Sequence, residues 1–216
     1  MRTDGAPVFK GRAALEVARN EGMARMPPAV EDETFLVLNG SHLKKMATAD
    51  EIAAAVGVSS SVAVERLAAA VDKGWAMNAE GKYLVLPEGT AEVHRSYTRL
   101  YAPLRDGGAV GAWYDKFETL NDQFIKAVSD WQKSDGDPKA ESKVIKIAER
   151  LIRAMGEMVP IIPRYETYVR RFTDGVARID RGEQDFVCVP TIDSIHTVWF
   201  EFHEDILSVL GRPRDV

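Results

Sequence analysis

The chain has 216 residues, 45% hydrophobic and 28% charged, with a formal net charge of −5 at neutral pH. That length fits one large domain or two small ones and can bury a real core, and the composition is ordinary for a globular protein. No apolar run approaches the roughly 20 residues that span a bilayer, so no membrane association is expected. The opening MRTDGAPVFKGR has no apolar stretch behind its charges, which predicts no signal peptide. The single cysteine, Cys188, excludes an internal disulfide framework and suits a reducing cytoplasm. With four scattered histidines (His42, His94, His196, His203) it also argues against a structural zinc site.

Residues 1–32 carry a short helical pattern (Ala13, Leu15, Val17, Ala18) broken at Pro27-Pro28, which reads as an arm or dimer-contact helix, or as a frayed terminus. From Glu33 the pattern tightens, and Phe35, Leu36, Leu38 and Leu43 predict one face of a first helix. Thr48-Ala49-Asp50-Glu51 is a capping box that opens a short second helix ending at Gly57. Ser59-Ser60-Ser61 can cap a third helix, in which Val62, Val64, Leu67, Ala68 and Val71 recur before Lys73-Gly74. Trp75–Met77 and Lys82–Leu86 predict two strands joined through Asn78-Ala79-Glu80-Gly81, and Pro87-Glu88-Gly89 launches another helix.

Two helices across a tight glycine turn make a helix-turn-helix. With the stretch ATADEIAAAVGVSSSVAVERLAAAVDKGW and the exit YLVLPEG, residues 33–92 resemble the winged-helix modules of MarR-type bacterial transcription regulators. The resemblance implies DNA binding and a homodimer reading two half-sites, with the early residues of the second helix of the motif in the major groove. Here those residues are Ser59, Ser60, Ser61, Ala63 and Arg66, with Lys82 on the wing reaching phosphate. The charge balance works against this. Five basic residues (Lys44, Lys45, Arg66, Lys73, Lys82) face eight acidic ones in 33–92, a balance of −3, whereas phosphate binding draws on clustered positive charge. A winged helix kept as a protein-contact module is therefore the competing reading.

Residues 93–110 are expected to form a linker helix (Val93, Tyr97, Leu100, Tyr101), with a turn at Asp106-Gly107-Gly108. Residues 111–216 show four helix-period segments, at about 112–133, 139–158, from Pro160 or Pro163 to 181, and 191–210, linked by Ser134–Pro138, by Gly182–Asp185 and by an extended Phe186–Val189. The whole predicts a mainly α protein: a winged helix-turn-helix with a small two-stranded wing, then an antiparallel four-helix bundle. On the last helix Glu201, Glu204, Asp205 and Ser208 are expected to face outward, and the arginines at 164, 170, 171, 178 and 181 to form a solvated face.

Several polar residues fall within the bundle's apolar stripes: Glu118, Asn121, Tyr165, Tyr168, His196 and His203, beside Trp199. Buried polar groups need partners, so these seven either satisfy one another or line an effector pocket with aromatic walls. His196 and His203 are seven positions apart, about 10 Å along a helix axis, too far to chelate one ion, so no metal is expected. No nucleophile elbow, His-Glu-x-x-His or phosphate-binding glycine loop is present, so no catalytic residue and no cofactor is expected, and an enzyme using His196 or His203 as a base ranks last.

The segments YDKFETLNDQFIKAVSDWQ and DSIHTVWFEFHEDILSVLGR resemble helical segments of actinobacterial proteins associated with phosphoenolpyruvate-utilising enzymes. That resemblance implies an accessory or regulatory module without the kinase chemistry. The leading expectation is a DNA-binding transcription regulator with a bundle that dimerises and binds an effector. The alternative is a protein-interaction module of a phosphoenolpyruvate-type enzyme system that does not bind DNA.

Overall fold

The computed structural model describes residues 31–106, 108–134 and 136–213. Of the arm expected over residues 1–32, all but Glu31 and Asp32 lies outside them. The described chain is mainly helical, with a three-stranded antiparallel sheet.

Helix α1 (Glu33–Lys44) starts where the Asp32 carboxylate accepts from the Phe35 N–H at 2.7 Å. It is buried nearly all round, since Phe35, Val37, Leu38 and Leu43 are joined by Asn39, Gly40 and Ser41. A helix without a solvent face lies between two layers, and α1 packs on the elements that follow it and on the helices at the chain's far end.

A short strand β1 (Ala47–Thr48) leads into α2 (Ala49–Val56). The Thr48 hydroxyl accepts from the Glu51 N–H, and the Glu51 carboxylate accepts from the Thr48 N–H at 2.7 Å, so the capping box forms. Gly57, at φ 77°, stops α2. The Ser59 hydroxyl then caps α3 (Ser60–Asp72) by accepting from the Val62 N–H.

Strands β2 (Ala76–Ala79) and β3 (Lys82–Val85) form a hairpin. They run up to a two-residue turn at Glu80-Gly81, both at positive φ, where the right-handed strand twist is best matched. The Asn78 side chain secures this turn by accepting from the Gly81 N–H at 2.9 Å. The sheet has three strands rather than the expected two, because Ala47 and Thr48 pair with Tyr83 and Lys82 in the order β1-β3-β2. A two-residue strand is too short to leave an alternation in the sequence.

Helix α4 (Pro87–Asp106) carries proline at its first position, where no amide hydrogen is missed. Then come α5 (Ala109–Lys133), α6 (Pro138–Met155), α7 (Tyr165–Asp180), α8 (Asp185–Cys188) and α9 (Ile195–Leu210). The stretch expected to be an extended link at 186–189 is instead the single turn α8, closed by the Val189 N–H on the Asp185 carbonyl and anchored by buried Val187. Helices α5, α6 and α7 pack in sequence, whereas α9 lies mainly on α4 and α7 and touches α5 more loosely. The α5/α9 side is thus the bundle's open seam.

One apolar core runs from Phe35, Leu38, Val93 and Tyr97 through Phe117, Leu151 and Phe172 to Trp199, Phe202 and Ile206. A smaller cluster (Val37, Ala47, Ile52, Ala53, Ala63, Leu67) fills the space under α2 and α3.

Candidate functional site

Two features stand out: a cleft along the open seam, and a buried charge network behind it. They occupy opposite faces of α9.

The cleft has a volume of about 480 Å³ between α5 and α9, within the roughly 300–1,000 Å³ of small-molecule pockets. Its aromatic floor forms because residues three and four apart on each helix meet across the seam. Phe124 of α5 stacks on Trp199 of α9 with centroids 3.8 Å apart, and Phe117 lies beside Trp199 at 5.6 Å. The Trp199 Nε1–H donates to Asn121 Oδ1 at 3.0 Å. At one end the Tyr114 hydroxyl donates to Glu118 Oε1 at 2.6 Å and meets His203 Nε2 at 3.0 Å. At the other, the His196 ring lies over Phe124, and its partial burial lowers its pKa, which keeps it neutral near pH 7. Ile125 and Phe200, 59% and 42% exposed, form the lips.

Of the seven residues expected in an effector pocket, Glu118, Asn121, His196, Trp199 and His203 line this cleft together. Tyr165 and Tyr168 do not. They point to the other side of α9, where Tyr168 donates to Asp205 at 3.0 Å and Tyr165 is wholly buried. Sequence reasoning missed Tyr114, Asp122, Phe124, Ile125, Phe200 and Leu207. The signal available for two of them was a large apolar residue set off the buried stripe of its helix, at 125 and at 200.

The charge network corrects two expectations. Glu201 and Asp205 are not outward, being 4% and 0% exposed, and Arg164 and Arg171 are buried rather than solvated. That face of α9 is covered by α1 and α7, so its carboxylates need cations. Arg164 holds Asp205 through both Nη atoms, with Nη2 to Oδ1 at 2.6 Å, and its Nε donates to Glu31 and to the Tyr101 hydroxyl, both at 3.0 Å. Burial works against the Arg164 charge, but Asp205 and the surrounding tyrosine oxygens outweigh it, and Arg164 stays protonated. Glu31 shares that one cation, and its own burial raises its pKa against the pull of Arg164.

Next to it, Lys44 at the end of α1 bridges Asp193 (2.7 Å) and Glu201 (3.3 Å), and Arg171 bridges the same two (2.8 and 2.7 Å). Burial would raise the Asp193 pKa, yet Arg171 and Lys44 hold it down at about 2. A small space of about 20 Å³ among Asn39, Arg164, Tyr168, Arg171, Glu201 and Asp205 has room for a single water.

The residues expected to contact DNA scatter. Ser60 and Ser61 are exposed at the start of α3, and Lys82 is exposed on β3. The Ser59 hydroxyl is spent on capping. Ala63 is 0% exposed in the core under α3 and reaches no groove. Arg66 is tied to Glu33 (3.1 Å) and Glu65 (3.2 Å). What α3 shows outward is Val64, Ala68 and Val71 at i, i+4 and i+7, flanked by Glu65 and Asp72.

Among the described residues no group of three or more His, Cys, Asp or Glu side chains could hold a metal ion, and no single helix is long and apolar enough to cross a membrane. Comparisons with protein-family models, with characterised proteins and with solved structures return no match.

Proposed function

We propose that this chain is a ligand-responsive regulatory module of winged-helix type, which takes a small molecule into the α5/α9 cleft and passes the event to a protein-contact surface on α3. The observation that carries this reading is the position of α9. One face supplies the cleft with His196, Trp199, Phe200, His203 and Leu207, and the opposite face supplies Glu201 and Asp205 to the network holding α1. A rotation or shift of α9 that accommodates a ligand therefore moves Glu201, the carboxylate that holds Lys44 of α1, against which α2 and α3 pack. Such coupling requires only that the ligand bind the two arrangements unequally.

The output surface is read from chemistry. An exposed Val64-Ala68-Val71 stripe beside two carboxylates fits a protein presenting apolar side chains flanked by lysine or arginine. A component of a phosphoenolpyruvate-utilising enzyme system is the partner suggested by the sequence resemblance. Affinity selection of metabolites from cell extract, read by native mass spectrometry, tests the cleft. A small molecule retained by the wild type and lost in Ile125→Trp, which plugs the mouth, supports the reading. Retention equal in both, or none in either, sinks it.

DNA binding by a homodimer is the second reading, favoured by the order of elements and by exposed Ser60, Ser61 and Lys82. Titration against a pool of genomic fragments over a salt series decides between the outputs. Enrichment of a palindrome with a steep salt slope, weakened by Lys82→Ala, selects DNA. No enrichment at low salt leaves the protein surface.

A further inference from the structure

We infer that the exposed stripe of α3 is covered by the chain's own segment Gly11–Gly22, lying antiparallel along it until a partner displaces it. This rests on α3 being the contact surface of the module and names what holds that surface when no partner is bound.

The stripe is apolar, with an acidic flank. Val64 and Val71, 50% and 37% exposed, stand seven positions apart with exposed Ala68 between them. At about 100° per residue, Glu65 and Asp72, also seven apart and exposed, fall on the same flank of that stripe. Arg66 is already shared by Glu33 and Glu65, and among the described residues Asp72 has no ion pair. The flank is therefore short of cations. A second copy of α3 does not supply them. Packed antiparallel, it sets carboxylate against carboxylate, because like flanks meet; packed parallel, it leaves them unpaired.

The missing groups lie in the sequence ahead of Glu31. Residues 1–30 carry five basic side chains against three acidic ones. Among them Arg12 and Arg19 are seven apart, the spacing of Glu65 and Asp72. Spaced as on a helix, both arginines flank Leu15 and Ala18 on the side that Glu65 and Asp72 take beside the valines, and Glu16 falls further round towards solvent. In antiparallel contact Arg19 meets Glu65 and Arg12 meets Asp72, and Leu15 and Ala18 then sit at the level of Ala68, between Val64 and Val71.

The tether agrees with that direction. Glu31 is held by Arg164, and Glu33 is bound at 3.1 Å to Arg66, the neighbour of Glu65. The segment thus joins the body near Glu65, where Arg19 is needed. The residues from Arg19 to Glu31 can span up to about 40 Å, well beyond the way round a helix about 10–12 Å wide. A tether of this length keeps the segment at an effective concentration on the order of millimolar, which favours the same chain over a second copy in dilute solution.

The test is NMR of the full chain with a nitroxide on Asn20→Cys, in a Cys188→Ser background that leaves no other thiol. The signals of Val64, Ala68 and Val71 should lose intensity at least two-fold. The charge reversal E65R/D72R should restore them, with an unchanged thermal midpoint showing that it folds, and adding R12E/R19E should bring the loss back. No loss on α3 in the folded chain, or a loss indifferent to the reversal, overturns the docking. So does a loss that appears on chains without nitroxide when spin-labelled chains are mixed in, which would assign the segment to a second copy. A model helical peptide of leucine and lysine keeps the two readings apart. If the docking fails, peptide-induced shifts at Val64 and Val71 still uphold α3 as a contact surface, and their absence overturns both.

Discussion

Arg164, immediately ahead of α7, and Asp205 of α9 form a two-point ion pair with no solvent contact on the Asp205 side, closed over by Tyr101, Tyr165 and Tyr168. Such a pair contributes little over an apolar replacement, but half of it is costly, because the remaining charge has no water. Asp205→Ala should therefore lower stability by about 3–5 kcal/mol in urea denaturation. The double variant Arg164→Met/Asp205→Leu should recover only part of that loss, because buried Glu31 then loses the cation that it shares. A single-variant cost below about 1 kcal/mol would mean that water reaches the site.

Lys44 poses the milder case. Removing it leaves Arg171 alone between Asp193 and Glu201, but Asp193 keeps 39% of its side chain in solvent. Lys44→Met should cost about 1–3 kcal/mol, less than the loss of Asp205. Because Glu201 is buried, raising NaCl from 0.05 to 1 M should change this cost only slightly. A cost that vanishes in high salt would place the network at the surface.

These two sites also show where the sequence was legible. The starts of α2 and α3 were, since the Thr48/Glu51 box and Ser59 are local signals that act within four residues. Of the seven residues expected to line a pocket, five border the cleft, because polar side chains on an apolar stripe must face something. Glu201 and Asp205 were not legible. On a helical wheel they fall among polar neighbours, and only the non-local packing of α1, whose Lys44 lies 157 positions from Glu201, turns that face inward. Arg164 and Arg171 were misread for the same reason, because nothing near them in sequence announces a buried carboxylate, whereas Arg170, Arg178 and Arg181 are exposed as expected.

His42 gives the acid side of the stability curve a signature. Its burial, reinforced by Lys45 and by His94 at 6.0 Å and opposed by Glu204, lowers its pKa from 6.5 to about 4. A base with a depressed folded pKa binds its proton more readily in the unfolded chain. Its contribution is present above pH 6.5 and is lost as pH falls from 6.5 to about 4. The loss should be on the order of 1 kcal/mol, allowing for solvent screening of the partly exposed ring. His196, also lowered, acts in the same direction. Asp193 acts in a separate window, from its unfolded value near 3.8 down to about 2. Thermal midpoints from pH 7 to 4.5 should fall less steeply in His42→Gln than in the wild type, and parallel curves would exclude His42 as the cause.

Gly89 joins the hairpin to the helical body. A Cβ there would stand 2.1 Å from the Trp75 carbonyl oxygen and 2.8 Å from Val85 Cγ1. That carbonyl is held by the Leu86 N–H at 2.8 Å, so the backbone has nowhere to go. Gly89→Ala should cost about 2–3 kcal/mol, in the upper range for overpacking. The helical content by circular dichroism should persist at low temperature. A neutral substitution would show that α4 can slide on the hairpin.

Asn121 tests the cleft floor without touching its charge. Its Oδ1 is the acceptor for the Trp199 indole N–H, and both side chains are buried at the seam. Asn121→Leu keeps the volume but strands that donor, at about 1–3 kcal/mol. Trp199→Phe removes the donor as well, so in the double variant Asn121→Leu/Trp199→Phe the penalty for an unpaired indole disappears. The two single costs should then exceed the cost of the double by about 1 kcal/mol or more, a coupling that urea denaturation resolves. Additive costs would mean that water in the cleft takes over the indole hydrogen bond, and the floor would be wet rather than an aromatic surface sealed by one amide.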